Sequence, residues 1–202
     1  MFNYNKNDLV GAANETGFIR DNLEKVFRLC NVLEYLNANP LLAEHLALKG
    51  GTSINLTVFR LPRLSVDIDL DFSKNCDREE MIRIRESINK DLLNYMLTRN
   101  YVLSPNSKNP HSLDSWSFYF QNSAGNKDSI RIEINYSMRN HVLPIEKRKI
   151  NAELLNIEYE VNTLSIPELF GSKIKALIER TAPRDLYDVN NMIGFNIIRP
   201  EE

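Results

Sequence analysis

At 202 residues, with 43% hydrophobic and 26% charged residues, the chain has the composition of an ordinary globular protein with room for one substantial core or two small ones; a disordered or membrane-embedded class is excluded. A formal charge of -2 supplies no global drive toward nucleic acid, so such a partner needs a local basic patch. Two cysteines, Cys30 and Cys76, make no disulfide scaffold, no signal peptide opens the chain, and no run reaches the ~18 apolar residues of a membrane helix, so a cytoplasmic protein is expected. In chain order, residues 1 to 17 are polar and Asn-rich, a loose arm or short leading helix. From Phe18 to Asn39, Ile19, Leu23, Val26, Phe27, Cys30, Leu33 and Leu36 recur at helical spacing, and Asn39-Pro40 ends that helix. Leu41 to Leu48 reads as a helical turn running into a strand. Thr52 to Phe59 fits helix or strand equally by periodicity. Ser65 to Phe72 is a strand, Asp77 and Glu80 have capping-box spacing before a helix reaching about Leu97, and Tyr101 to Leu103 is a short strand.

The Pro- and Asn-containing segment Ser104 to Asp114 reads as a surface loop. Trp116 to Gln121 and Ser129 to Tyr136 flank turn material at residues 123 to 126, an antiparallel hairpin. His141 to Ile150 is a basic edge-strand candidate, and Leu154 to Leu164 has little periodic signal. Ser165 and Glu168 have capping-box spacing before a helix ending by Pro183. A last helix spans about Arg184 to Met192, and the tail from Gly194 is unpatterned. The expected organisation is a core over residues 1 to 150 and a mainly helical region over 151 to 202 that completes a cleft.

The chemistry concentrates in Lys49-Gly50-Gly51-Thr52-Ser53 and in Ser65-Val66-Asp67-Ile68-Asp69-Leu70-Asp71-Phe72. On a strand, residues two apart face the same way, so Asp67, Asp69 and Asp71 line one side while Val66, Ile68, Leu70 and Phe72 line the other. Three like charges beside a core repel unless something positive sits there, and a divalent metal is the simplest candidate. The glycines permit a tight backbone path, and a helix opening near Thr52 would aim backbone N–H groups at an anion; a buried helix opened by glycines without any ligand fits the residues equally. On the second hairpin strand Arg131, Glu133 and Asn135 share a face, which makes Glu133 the natural partner for the acids; a solvated hairpin face is the competing reading.

These residues resemble the first signature of the abortive-infection (AbiEii-like) nucleotidyltransferase toxins of type IV toxin–antitoxin systems, a Gly-Gly turn followed by Ser-x-Asp-x-Asp. Lys173, Ala176-Leu177, Arg180 and Arg184-Asp185-Leu186-Tyr187-Asp188 resemble the family's later signature, and Glu133 resembles the third carboxylate of the superfamily. The resemblance implies an α+β fold, a polymerase-beta-like nucleotidyltransferase core with a mixed twisted sheet flanked by helices and a short helical region behind. It also implies NTP as substrate, an acceptor such as tRNA and a cognate antitoxin protein as partner.

Carried onto this chain, Asp67, Asp69 and Glu133 become ligands of Mg2+ or Mn2+, with Glu133 next to the attacking hydroxyl. Gly50, Gly51, Thr52 and Ser53 cradle the triphosphate. Lys173 neutralises phosphate together with Arg180, which lies two helical turns away on the same face. Asp185 orients Lys173 or the nucleotide, and Asp188 is structural. Asp71 is expected in a salt bridge, with Arg63 or Arg131 as the partners in view. Lys147, Arg148, Lys149, Lys175 and Arg184 add basic character for an RNA acceptor; Trp116, Tyr119 and Tyr101 either stack on bases or belong to the core. The rival functions are a catalytically inactive protein of the same fold that binds nucleotide or a protein partner, and a phosphohydrolase.

Overall fold

The computed structural model describes residues 5–59, 61–150 and 159–194. The N-terminal arm forms helix α1 (Lys6–Thr16), capped by the Asn5 side chain and stopped by Gly17 at φ +73°. Helix α2 (Arg20–Ala38) follows the predicted apolar spacing and buries Leu23, Val26, Leu29, Cys30 and Leu33. Asn39 closes α2 and caps α3 (Pro40–His45), its side chain accepting from the Leu41 and Leu42 amides. Then come β1 (Leu46–Lys49) and α4 (Gly50–Thr57). Thr52 to Phe59 is therefore largely helical, and periodicity failed to choose because α4 is buried nearly all round.

The remaining elements are β2 (Asp67–Phe72), α5 (Arg78–Thr98), β3 (Val102–Leu103), β4 (Leu113–Gln121), β5 (Lys127–Asn135), β6 (Glu146–Lys149), β7 (Glu160–Thr163), α6 (Ile166–Arg180) and α7 (Pro183–Gly194). Asp77 caps α5 as its spacing predicted, accepting from the Glu80 amide at 2.8 Å. The expected box at α6 does not form: Ser165 makes no capping bond, and Glu168 accepts instead from the Val142 amide at 2.7 Å. Part of the weakly patterned 154–164 segment and the tail beyond Gly194 lie outside the described residues.

The strands order as β3-β4-β5-β2-β1-β7-β6, with β2–β5 and β1–β7 parallel and the other pairs antiparallel. This is the mixed twisted sheet flanked by helices that the sequence led us to expect. One face carries the main core, where Ile68, Leu70, Phe72, Phe118, Ile130, Ile132 and Ile134 meet the apolar sides of α2 and α5. Trp116 and Tyr101 belong to it, both 7% exposed, which settles their reading as core. A smaller core lies on the opposite face: Ala47, Ile54, Phe59, Leu169, Phe170 and Met192 join β1, α4, α6 and α7. The predicted loop before β4 is strapped down by Arg85, which donates to the Pro110 and His111 carbonyls and pairs with buried Asp114.

Candidate active site

Alternation along β2 sends Ile68 and Leu70 into the main core and leaves Asp67 and Asp69 half-buried on the face that α4 and α6 flank. Pairing then gathers the other charges. Asp69 lies opposite Glu133 on parallel β5 and opposite Lys49 on antiparallel β1, while Asp67 lies opposite Arg131. The result is a cleft of about 350 Å³ lined by Lys49, Gly50, Gly51, Arg63, Ser65, Asp67, Asp69, Arg131, Glu133, Ser172, Lys173, Ala176, Arg180 and Arg184.

Both glycines are there because side chains approach them. Gly50 has φ +70°, and a Cβ there would lie 2.5 Å from Asp69 Oδ2. A Cβ on Gly51 would lie 2.9 Å from an Arg63 guanidinium nitrogen and 3.2 Å from Ser65 Oγ. No side chain caps α4, whose first turn the glycines form at the cleft wall. Thr52 and Ser53 do not line the cleft. Both are buried; the Thr52 hydroxyl donates to the Asp67 carbonyl and Ser53 bonds Thr163, which leaves only their backbone for any ligand.

Burial, then the charge of Glu133, then that of Asp67 push the Asp69 carboxyl above its usual range, against the pull of Lys49 and Lys173. Asp69 thus senses the other two acids, and Lys49 and Lys173 offset them only in part. Asp71 is different: it is buried and takes the Lys49 ammonium at 2.5 Å. The arginines expected as its partners are engaged elsewhere, Arg63 with Asp188 at 2.7 Å and Arg131 with Glu133 at 2.7 Å. Burial is the largest influence on Asp71 and pushes its carboxyl up despite Lys49.

Across the cleft, Lys173 is buried between two acids, its Nζ 3.1 Å from Asp185 Oδ1 and 3.0 Å from Asp188 Oδ2. Arg180 donates to both Asp185 oxygens, at 2.6 and 2.9 Å. Those bonds, followed by the one from Lys173, hold the Asp185 carboxyl down at about 2. Asp188 is pushed up by burial, but the bonds from Arg63 and Lys173 outweigh this and leave its carboxyl below the usual range. Lys147, Arg148 and Lys149 sit on β6 at the far edge of the sheet and do not line the cleft.

Sequence reasoning passed over Lys49, Ser65, Arg131 and Ser172 as cleft residues. For Lys49 and Ser65 a signal existed, since each borders a motif already singled out. For Arg131, two residues before Glu133 on the same strand, the alternation pointed to the shared face.

The donor set fits a hard divalent cation: the acids are carboxylates only, Asp69 lies opposite Glu133 and two residues from Asp67 on the same face, and the Asp69 oxygen hangs over a glycine where any side chain would intrude. Among the described residues no three His, Cys, Asp or Glu side chains converge into a ligand cage.

A family profile described as nucleotidyl transferase AbiEii toxin, type IV TA system, matches residues 32–202. The chain belongs to this family. Its fold is shared with JHP933 from Helicobacter pylori, at 17% identity and TM-score 0.56 over 87% of this chain and 67% of that one. It is shared also with MenT4, a nucleotidyltransferase toxin from Mycobacterium tuberculosis H37Rv, at 16% identity and TM-score 0.65 over 94% of this chain and 64% of that one. The AbiEii-family chain thus spans about two thirds of the length of these structures, and identities so low speak for the fold alone. No curated protein matches it. Within the described residues of this family member no helix is long and apolar enough to cross a membrane.

Proposed function

We propose that this AbiEii-family chain is a cytoplasmic, Mg2+- or Mn2+-dependent nucleotidyltransferase. It transfers a nucleotidyl group from a nucleoside triphosphate to a hydroxyl of an RNA acceptor such as tRNA, as the toxin of a toxin–antitoxin pair. The observation that carries the reading is the Asp69 carboxyl, set over the Gly50 turn, its proton affinity raised by burial and then by Glu133 and Asp67, in a cleft that Lys173 and Arg180 also line.

In the reaction an acceptor oxygen bonds to the α-phosphorus as the bond to the bridging oxygen breaks, and pyrophosphate leaves. Asp67, Asp69 and Glu133 are the residues that would hold the cation. When bound, it supplies charge that neutralises the phosphates and stabilises the departing pyrophosphate. The glycine pair lets the triphosphate approach the uncapped start of α4, where backbone N–H groups of residues 50 to 53 favour an anion. Lys173 and Arg180 take the phosphate charge from the α6 side, and Asp185 holds both cations in place. Glu133, on the neighbouring strand, accepts the acceptor's proton. Helices α6 and α7 complete the cleft through Ser172, Lys173, Ala176, Arg180 and Arg184.

The test is incubation with each labelled triphosphate, Mg2+ or Mn2+, and total cellular RNA. Asp67→Asn and Asp69→Asn are expected to lower transfer at least ~100-fold, in line with losing a group that stabilises charge in the transition state, with unchanged circular dichroism. Undiminished labelling by either variant would remove the ligand assignment. One observation favours a second reading: no closed three-donor group exists among the described residues, as in a protein that binds nucleotide without turning it over. That protein would retain the triphosphate and label nothing.

A further inference from the structure

Glu133 is held by two neighbours that neither family signature contains. Ser115 is its direct partner on antiparallel β4, so the two side chains share a face, and the Ser115 hydroxyl donates to Glu133 Oε1 at 2.9 Å. The Arg131 guanidinium lies 2.7 Å from the same oxygen and reaches Ser115 Oγ at 3.4 Å. Both hands of this clamp close on Oε1.

The geometry points to Ser115 and Arg131 as positioning residues for Glu133: Ser115 fixes Oε1 so that Oε2 remains for the cleft, and Arg131 is a resting counter-charge that transfers to substrate phosphate. The inference rests on the reading of Glu133 as part of a nucleotidyl-transfer site.

The two neighbours differ in what they can give up. Ser115 is anchored through its backbone, which exchanges hydrogen bonds with Lys108 at 2.9 and 2.8 Å, so its hydroxyl is a stationary donor. The Arg131 side chain is 56% exposed and that of Glu133 27%, and an ion pair so open to water is weak enough to be exchanged. Arg131 also sits opposite Asp67 across the β2–β5 pair, at the cleft lining where the triphosphate arrives. A guanidinium binds phosphate through two parallel N–H donors, a better match than one carboxylate oxygen already shared with a serine. Phosphate arrival therefore draws Arg131 off Glu133 and uncovers the carboxylate, while the Ser115 bond preserves its orientation.

The two roles separate in measurement. Ser115→Ala is expected to lower kcat about tenfold with the KM for triphosphate changed less than about twofold, and Ser115→Thr, which keeps a hydroxyl, is expected to recover most of kcat. Arg131→Ala is expected to raise that KM about tenfold, with Arg131→Lys between it and the parent protein. Calorimetric binding of non-hydrolysable analogues of the four ribonucleoside triphosphates, with Mn2+, gives a readout independent of turnover: Arg131→Ala weakens binding about tenfold and Ser115→Ala leaves it nearly unchanged. Thermal unfolding curves exclude variants that have lost the fold, and the Thr and Lys variants carry the test if the Ala variants have. Unaltered analogue binding by Arg131→Ala, or parental kcat in Ser115→Ala, overturns the inference. A parent protein that binds analogue but labels no acceptor overturns the transfer reading and the Ser115 role with it, while the binding arm still decides Arg131. A parent protein that binds none of the four analogues overturns both.

Discussion

Gly50 combines a left-handed φ of +70° with a carboxylate oxygen where a methyl would go. Gly50→Ala therefore suffers twice, through backbone strain of about 1–2 kcal/mol and through displacement of Asp69. The expected result, read by urea unfolding and by transfer rate, is a protein destabilised by at least ~1 kcal/mol whose activity falls further than its stability explains. Asp69 itself is the opposite case. Its folded carboxyl titrates above its unfolded value of about 3.9, so the favourable protonated contribution is complete below that value and is lost as pH rises through the folded pKa. Asp69→Asn is accordingly expected to melt higher than the parent at pH 7, with the difference vanishing below about pH 4. Added Mg2+ is expected to raise the melting temperature of the parent and not of the variant; a variant that melts lower at pH 7 would show that the acids do not strain the fold.

Among the elements, α6 and α7 are held together by charge as much as by apolar contact. Lys173 and Arg180 on α6 meet Asp185 on α7, and Arg63 before β2 clamps Asp188 through two bonds of 2.8 and 2.7 Å. The sign for Asp185 is the reverse of that for Asp69. Its folded value of about 2 lies below the ordinary range, so its contribution is present above pH ~4 and is lost as pH falls toward 2. In acid titrations followed by circular dichroism, Asp185→Asn is expected to be less stable than the parent at pH 7 and to flatten the loss between pH 4 and 2. An unchanged acid slope would mean that other carboxylates carry it. At the other end of the sheet, buried Glu24 plays a comparable part in α2, taking Arg28 at 2.7 Å one turn on and the Ser123 amide of the β4–β5 turn at 2.8 Å. That bond ties the hairpin carrying Glu133 to α2.

Over the whole molecule, the two cores are unequal in size and in work. The main core joins α2 and α5 to β1, β2, β4, β5 and β7, whereas the small one supports the glycine turn and the helix that bears Lys173. Phe170→Ala empties part of the small core, where Phe170 stacks near Phe59 with ring centroids 6.2 Å apart, and is expected to cost about 3 kcal/mol. Hydrogen exchange should then show α4, α6 and α7 losing protection before α2, α5 and the central strands, together with weaker triphosphate binding. Uniform loss of protection would mean that the two cores melt as one.

Much of this architecture was legible in one dimension because its determinants are local. The α2 stripe, the capping aspartate of α5, and the alternation that turns Asp67 and Asp69 to one side of β2 each depend on residues within a few positions of one another, whereas Glu133 joins them only through the β2–β5 register. The glycine pair, too, announced a tight backbone path, though not that an aspartate oxygen from β2 would be its cause. The tertiary structure alone decided how buried charges were matched. Asp71 found Lys49 through the β1–β2 register, 22 residues away, and Arg63 found Asp188 at a separation of 125, because a buried charge takes whichever opposite charge the packing delivers. It also decided the state of residues 50 to 57, where burial on every side erased the periodic contrast from which a helix is read.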